Sequence, residues 1–556
     1  MGVGSYPNAL PVFFDYVSGV GYASLTTLNR STHQHQWNLV DTISKTFGQH
    51  LLKFGFDYRR IASPLFPYDP QLSGYFYNQE ALETNVTYLL LTAAHLPSEP
   101  VFNDSAAFVQ DEWHVTRRLS LSLGLRWDVD PPPSSKQNDA LNITGCLCDP
   151  ATLGVAPRGT PLWKTSYFNF APRLGAAWEV RTTPGWETVL RAGGGVFFDT
   201  DNEAAGWGFS GGLGDAATAR YSNLSLPVTT ALVNSVVPST TPPYTSGSIN
   251  ALPQHLQLPY TLQWNVSVQQ ALGKAQAFTV TYVGAAGRRL ILMQTLNISS
   301  LNPNFGTIDY VPPGITSDYD ALQLQFQRRL SRGLQILGSY TWSHSIDYGS
   351  SAVEVPLQRG NSDFDLRQNF QAGVSWNLPN VQGNPIVKHA FSHWGLDGRL
   401  MARTGFPLEI SGNFLTDPAT GSNYYSGVNV NPGVPIYLYG AQYPGGREIN
   451  SAAFSLPTGN NSGDAARNFV RGFGENQINL AVTREFIVRE GLRFQFRAEA
   501  FNILNHPNFG NINATLNTAT FGQATATLNT SFSNPLAQQY EQGGPRSMQF
   551  ALKLLF

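Results

Sequence analysis

Few residues of this 556-residue chain are spaced for chemistry. Its two cysteines, Cys146 and Cys148, are separated by one residue and could bind a metal or close a small ring. We favour a local structural or incidental role in a surface loop. His33 and His35 would lie on one face of an extended chain, but two imidazoles without a third ligand make a poor metal site. No Ser-His-Asp, Cys-His or carboxylate pair has a convincing setting. We therefore predict no enzyme, no cofactor and no metal centre.

The acidic residues 199–203 begin like a calcium-binding loop. The sixth position lacks the required glycine, since Ala204 stands there, and the twelfth position is Ser210 rather than an acid. The glycine-rich residues 210–214 are followed by no predicted helix, so they form no phosphate cradle. Calcium binding in a loop stays open as an alternative.

A row of charged side chains carries more functional weight. In residues 491–510, Leu492, Phe494 and Phe496 fall on one face of an extended chain, and Gln495 falls on the other. Such a polar row can grip another element or line a permeation path through charge-assisted hydrogen bonds. Mutual pairing that keeps a sheet in shape is an equal alternative. The candidate residues are Arg191, Arg329, Arg399, Arg403, Arg493, Arg497 and Glu499.

The elements that must position this row are strands. Alternation of apolar and polar residues recurs along nearly the whole chain, for example in "ALQLQFQRRL" from Ala321 and "RLSLSLGLRWDV" from Arg118. No stretch shows a comparable helical period, and no apolar run approaches the ~20 residues of a membrane-spanning helix. Charged residues make up 13% of the chain, against about 25% in an average soluble domain. These features predict an all-β protein whose surface is not wholly wet.

The connections between the strands also alternate. Short turns join the members of each strand pair, and long segments rich in Pro, Gly, Asn, Ser and Thr join the pairs. This is typical of an antiparallel transmembrane β-barrel with short periplasmic turns and long extracellular loops. The apolar row would face lipid, and the charged row would face a wet lumen. A β-sandwich or propeller, with the apolar row as its core, is the alternative.

The net charge and the two ends of the sequence limit the possible functions and locations further. The 35 Lys and Arg residues nearly balance the 37 Asp and Glu residues, so the net charge of −2 gives no basic signature for nucleic acid. The first residues lack the features of a signal peptide, so either the protein stays in the cytoplasm or its true beginning is missing. The last strand alternates to its end at Leu554 and Phe556. A terminal strand ending in Phe is similar to the signal that the barrel-assembly machinery binds.

Several segments together resemble one family. They include "FVQDEWHVTRRLSLSLGLRWD" from Phe108, "YTLQWNVSVQQALG" from Tyr260, "SDFDLRQNF" from Ser362 and "FRAEAFNILNHPNFG" from Phe496. From about residue 35 to the end, the chain resembles the Oar-like β-barrel of TonB-dependent transporters, especially the acidobacterial type with a carboxypeptidase-regulatory-like domain. This resemblance implies a signal peptide, a small β-sandwich domain, a plug and a barrel of ~22 strands in the outer membrane of a Gram-negative bacterium.

The sequence departs from that plan at its start. We count about 15 to 16 strands, so we assign residues 35–556 to the C-terminal part of the barrel and residues 1–34 to an extracellular loop or the start of a fragment. The expected partners are outer-membrane lipid, the barrel-assembly machinery and, through the missing N-terminal part, the TonB complex. The expected function is uptake of a large nutrient whose identity the sequence does not reveal. A surface or adhesion protein without transport and a passive pore are the alternatives.

Overall fold

The computed structural model describes most of the chain: residues 12–17, 22–27, 34–65, 71–135, 137–199, 206, 208–209, 213–214, 216–239, 241–242, 244–311, 314–350, 358–416, 423–458, 463–489, 491–528 and 543–556. Within them, fifteen long strands dominate the fold, and we number them β1 to β15. Their bounds are β1 His35–Phe47, β2 His50–Ala62, β3 Pro100–His114, β4 Leu119–Val129, β5 Asn169–Arg181, β6 Thr188–Phe198, β7 Tyr260–Leu272, β8 Gln276–Arg288, β9 Thr316–Ser331, β10 Leu334–Asp347, β11 Gln368–Asn377, β12 Trp394–Arg403, β13 Glu475–Arg489, β14 Leu492–Phe501 and β15 Ser547–Leu555.

The long strands form one antiparallel sheet in chain order. Each strand from β2 to β14 pairs with the strand before it and the strand after it. Among the described residues, β1 pairs only with β2, and β15 pairs only with β14. The predictions of an all-β fold and of about fifteen strands are confirmed.

The two faces of this sheet are chemically distinct. The register places Phe494 opposite Leu554 and Phe496 opposite Leu552, so the apolar rows of β14 and β15 continue each other. These side chains are exposed rather than buried, with 37% exposure for Phe496 and 69% for Leu552. The core of a β-sandwich would bury them, so the sandwich alternative is wrong. The exposed apolar face instead suits contact with lipid.

Turns at one end of the sheet are short, with one exception. β9 and β10, for example, are joined by residues 332–333, where both backbones have positive φ. The connection of residues 378–393 between β11 and β12 instead contains the helix α3 (Pro385–Phe391). Asn384 caps this helix by accepting a hydrogen bond from the backbone of Val387 at 2.9 Å. The prediction that all hairpins at this end are short is therefore wrong for this pair.

The long connections at the other end fold into a structure of their own. We call them the loop cap, defined as the described residues of 63–99, 130–168, 199–259, 289–315, 348–367, 404–474 and 502–546. Although these segments are rich in Pro, Gly, Asn, Ser and Thr, they contain regular structure. The cap contains short strands Gln71–Phe76, Leu89–His95, Ser134–Ser135, Ile143–Thr144, Gly154–Val155, Ala216–Tyr221, Tyr244–Ala251, Gln294–Asn297, Phe305–Tyr310, Gly360–Asn361, Pro407–Leu408, Phe414–Thr416, Asn423–Tyr425, Asn429–Val430, Tyr437–Tyr439, Arg447–Ile449, Phe454–Ser455, Val470–Arg471, Phe509–Ile512 and Ala524–Thr527, the helices α1 (Gln79–Glu83) and α2 (Thr230–Asn234), and 3-10 turns Pro150–Thr152, Pro444–Gly446 and Ser451–Ala453.

The cap also holds buried apolar clusters. One packs Leu162, Trp163, Phe209 and Leu252 together, and all four are at most 4% exposed. Segments distant in the chain meet in such clusters, which explains why local patterns did not reveal them. Composition rich in Gly, Pro and Asn marked these segments as irregular, but tertiary packing orders them.

Residues near the beginning of the chain pair with a strand of the loop cap. The strands Val12–Val17 and Tyr22–Thr27 pair with each other, and the second pairs with Gln71–Phe76 in a five-stranded sheet. The assignment of residues 1–34 to an extracellular loop stays a prediction. No helix in the described part of the chain is long and apolar enough to cross a membrane.

Candidate functional site

The polar face of β12 to β14 carries a charged group centred on Arg497. Its Nη1 donates to Asp397 Oδ2 at 2.6 Å, and its Nε donates to Glu499 Oε2 at 3.1 Å. Asp397 and Glu499 lie on strands that flank β13, and both face Ala481 in the register. The small side chain of Ala481 leaves room for Arg497 to reach across β13. The candidates Arg497 and Glu499 thus contact each other, and Asp397 completes the group.

Arg403 forms a second ion pair at the loop end of the same face. Its Nε donates to Glu475 Oε2 at 2.7 Å, and Glu475 is buried. The Arg403 guanidinium also lies 4.6 Å from the ring centroid of Phe406. Burial strengthens this charge-assisted contact because little water competes for it.

The other candidate arginines differ in how they are partnered. Arg493 lies 3.4 Å from Glu485, and Arg191 Nη1 donates to Gln269 at 3.0 Å. The side chains of Arg329 and Arg399 are exposed and, among the described residues, have neither a hydrogen-bond nor an ion-pair partner. The polar face therefore combines internally paired charges with two cations available to another group.

A pocket of about 70 Å³ lies where β2, β3 and β4 meet the loop cap. Arg126 bridges two of its carboxylates, at 2.7 Å from Asp128 and 3.4 Å from Asp57. Asp130 follows β4 and is buried. Burial, with the neighbouring charges of Asp104 and Asp128, raises the pKa of the Asp130 carboxyl to about 7, although Arg126 and Arg59 oppose this shift.

The loop cap contains a buried arginine network. Arg467 is 1% exposed, and its Nη1 and Nη2 atoms donate to Asp347 at 2.6 Å and to Asp363 at 2.7 Å. The neighbouring Asn468 donates its Nδ2 to Asp363 at 2.6 Å and its backbone N–H to Glu409 at 2.6 Å. The network joins the connection after β10 to the connection before β13.

A second network surrounds Asp365. Arg471 pairs with this carboxylate, the Ser345 N–H donates to it at 2.8 Å, and His344 Nδ1 lies at 3.2 Å. Burial alone would raise the pKa of Asp365, but these hydrogen bonds outweigh burial and hold the pKa below its ordinary value. Asp363 and Asp365 both belong to "SDFDLRQNF", one of the segments that carry the family resemblance. Alternating carboxylates in a loop were the available signal, but their distant partners could not be identified from sequence.

The remaining candidates from the sequence are the two cysteines, two histidines and the acidic and glycine-rich stretches. Cys146 and Cys148 are joined by a disulfide, and His35 is exposed at the start of β1. His33 lies outside the described residues, as do 200–205 and 210–212 of the acidic and glycine-rich stretches. In the described part of the chain, no group of three or more His, Cys, Asp or Glu side chains could hold a metal ion.

The end of β15 is accessible. Phe556 is 98% exposed, and Leu554 is 49% exposed beside Phe494. Both residues lie at the short-turn end of the sheet, because Leu555 pairs with Arg493 next to the β13–β14 turn. Recognition of this strand by the assembly machinery stays a prediction.

The family model described as "Outer membrane beta barrel domain" matches residues 4–549. No curated protein matches the chain.

Several solved structures are similar to this chain at low sequence identity. The ferripyoverdine receptor of the outer membrane of Pseudomonas aeruginosa, bound to ferripyoverdine, is 10% identical with a TM-score of 0.46, over 97% of this chain and 51% of that chain. The FpvAI–pyocin S2 complex is 9% identical with a TM-score of 0.45, over 97% of this chain and 52% of that chain. The ferric citrate transporter FecA in its unliganded form is 10% identical with a TM-score of 0.45, over 98% of this chain and 57% of that chain. The chain thus spans about half the length of these proteins.

Proposed function

Since this chain belongs to the family of outer membrane β-barrel domains and is a protein of the bacterial outer membrane, we propose a function in import. In this proposal, the chain forms the C-terminal part of the barrel of a TonB-dependent receptor that imports a large nutrient. The Oar-like motifs support this subtype. The observation that carries the proposal is the polar face, where Arg329 and Arg399 have no partner among the described residues. Exposed guanidinium groups inside a barrel suit the grip of a plug or the passage of an anionic or polar ligand.

The two edge strands of the sheet, β1 and β15, each have one pairing partner among the described residues. This favours further strands in the complete barrel. In a bilayer, the free N–H and C=O groups of β1 and β15 need partners. Because thirteen alternating strands lie between them, β1 and β15 both run from the loop end to the short-turn end. They could pair directly only in parallel, whereas an odd number of added strands restores antiparallel pairing throughout. A barrel of ~22 strands, as in large transporters, would add roughly seven.

Energy from TonB would enter through the N-terminal part of the complete protein. The test is the DNA sequence upstream of codon 1, translated in frame. An open frame that encodes a signal peptide and a plug supports active import. Stop codons directly before an authentic start would overturn active import by this protein.

A second test addresses transport itself. We expect deletion of the complete gene and loss of TonB to cause the same, non-additive growth defect on a nutrient that only the intact strain uses. The control is a strain complemented with the gene. Growth that is restored by an excess of the gene in a strain without TonB would indicate passive entry instead.

Surface binding without transport is the second candidate. Three tyrosines of the loop cap form an aromatic group, with Tyr88 at 5.6 Å from Tyr77 and 6.4 Å from Tyr75 between ring centroids. Tyr77 is 71% exposed. Exposed aromatic clusters often mark interaction sites. Loss of cell or matrix adhesion without a growth defect in the deletion strain would favour this function over import.

A further inference from the structure

The connection between β11 and β12 is unlike the others at the short-turn end. β13 and β14 are joined by residues 490–491, whereas this connection contains α3. The helix is held in place by Trp394, whose Nε1 donates to the carbonyl of Ala390 at 2.9 Å. Ile386 and Phe391 nevertheless are 78% and 63% exposed. An ordered helix thus presents two large apolar side chains outward.

The helix is attached to the apolar face of the sheet. Trp394 pairs directly with Arg484, which lies on the same face of β13 as Val482 and Phe486. Arg484 also donates a hydrogen bond to the carbonyl of His389 within α3. The exposed side chains of the helix are therefore close to the exposed apolar row of the sheet. Three further exposed residues extend this surface, namely Trp376, Phe486 and Val488.

The charge of this region is positive. Residues 376–394 contain Lys388, His389 and His393 but no Asp or Glu. The Arg484 guanidinium lies 5.1 Å from the ring centroid of Trp394 and 4.5 Å from that of Phe486. No carboxylate pairs with Arg484 among the described residues. Unpaired cations beside an exposed apolar surface are complementary to an anionic lipid surface.

We propose that α3 and Arg484 form an interfacial foot that binds anionic phospholipid in the periplasmic leaflet of the outer membrane. Ile386 and Phe391 would enter the boundary of the acyl chains, while Lys388 and Arg484 would contact headgroup phosphate. The short turns of outer-membrane barrels lie on the periplasmic side, which places the foot at that leaflet. The foot depends on the membrane location of the barrel and not on transport.

The depth of the foot is measured with spin labels on the full chain in phospholipid vesicles. Cys146 and Cys148 are joined to each other, so one introduced cysteine supplies the only free thiol. We expect nitroxides at Ile386→Cys and Phe391→Cys to be more accessible to oxygen than to a water-soluble nickel complex. The matched control is Gln382→Cys, which is exposed in the same connection and should show the reverse order. Labels at 386 and 391 that behave like the control, or that neither probe reaches, would overturn the proposal.

The headgroup preference is measured by the association of spin-labelled phosphatidylglycerol relative to spin-labelled phosphatidylcholine. Loss of each cation, in Lys388→Gln and Arg484→Gln, should lower this preference roughly fivefold, as expected for one basic residue near an anionic leaflet. The matched control is Arg493→Gln, which removes the same charge from the same end of the sheet but from the polar face. An equal preference in all variants would show that the foot does not recognise anionic lipid. Because Lys388 is exposed on the helix, its substitution is not expected to prevent folding.

Discussion

The sheet and the loop cap of this chain use apolar residues in opposite ways. In the sheet, Phe496, Phe550 and Leu552 are 37%, 68% and 69% exposed. In the cap, Phe305 and Ile308 are at most 1% exposed within a compact cluster. The sheet therefore needs lipid as a solvent, whereas the cap has a core of the kind found in water-soluble domains.

The two regions differ in their use of charge as well. On the polar face of the sheet, Arg493 and Glu485 form an ion pair 3.4 Å apart in which Arg493 is half exposed. In the cap, Arg467 is almost fully buried between two aspartates. A buried charge that loses its partner is far more costly than an exposed one. Substitutions should therefore affect the cap and the sheet by different amounts and in different solvents.

The largest effect is expected for Arg467→Met in the cap. Removal of this guanidinium leaves Asp347 and Asp363 without their buried counter-charge, which should destabilise the cap by about 3–5 kcal/mol. Hydrogen exchange should accelerate at residues 358–365 and 463–471 and stay unchanged in β13 and β14. The matched control is Arg359→Met, which removes an exposed arginine paired with Asp318 and should cost less than about 1 kcal/mol. Equal effects of the two substitutions would contradict a distinct, buried network.

The stability of the loop cap should depend on pH through the titration of Asp130. Its pKa of about 7 lies above the unfolded value, so the folded chain holds a proton that the unfolded chain releases between about pH 4 and 7. Stability should consequently fall as the pH rises through this window, by at most about 4 kcal/mol. Denaturant unfolding at several pH values measures the slope. Asp130→Asn should remove it, and a slope that is unchanged in this variant would exclude Asp130 as its source.

The third effect tests the lipid-facing surface. Phe496→Arg should destabilise the sheet by roughly 2–4 kcal/mol if the residue lies near the middle of the bilayer, since it exposes a cation to lipid. The matched control is Gln495→Arg, one residue away on the polar face near Glu485. Unfolding from lipid vesicles in urea compares the two variants. A greater loss of stability in Gln495→Arg than in Phe496→Arg would show that the two faces are assigned the wrong way round.

The sequence predicted the sheet well because its signal is local. Alternation in β14 depends on adjacent residues, and two different solvents enforce it along every strand. The pairing of neighbouring strands then followed from their order in the chain. The approximate number of strands could also be counted from alternation and turns.

The cap could not be predicted in the same way because its contacts are distant in the chain. Arg467 is more than a hundred residues from Asp347, and no periodic pattern connects them. The helix α3 was missed although Asn384 and Pro385 form a recognisable helix start, because the surrounding hairpins had suggested a short turn.

The smallest effects are expected within the charged row of the sheet, where Arg497→Leu can be compared with Arg493→Leu. Arg497 contacts Asp397 and Glu499 at 2.6 and 3.1 Å, so its loss should cost about 1–2 kcal/mol, whereas loss of the exposed Arg493 should cost about 0–1 kcal/mol. Both variants should still insert, because neither places a charge in lipid.

Insertion is measured as protection of the strands from added protease, and stability as the urea midpoint in vesicles. Raised ionic strength should shrink the difference between the variants, since partly exposed pairs are screened by salt. A failure of Arg497→Leu to insert would place Arg497 in contact with something other than a wet lumen. A salt-independent difference would instead show that packing of the arginine stem, rather than its charge, holds β12 to β14 together.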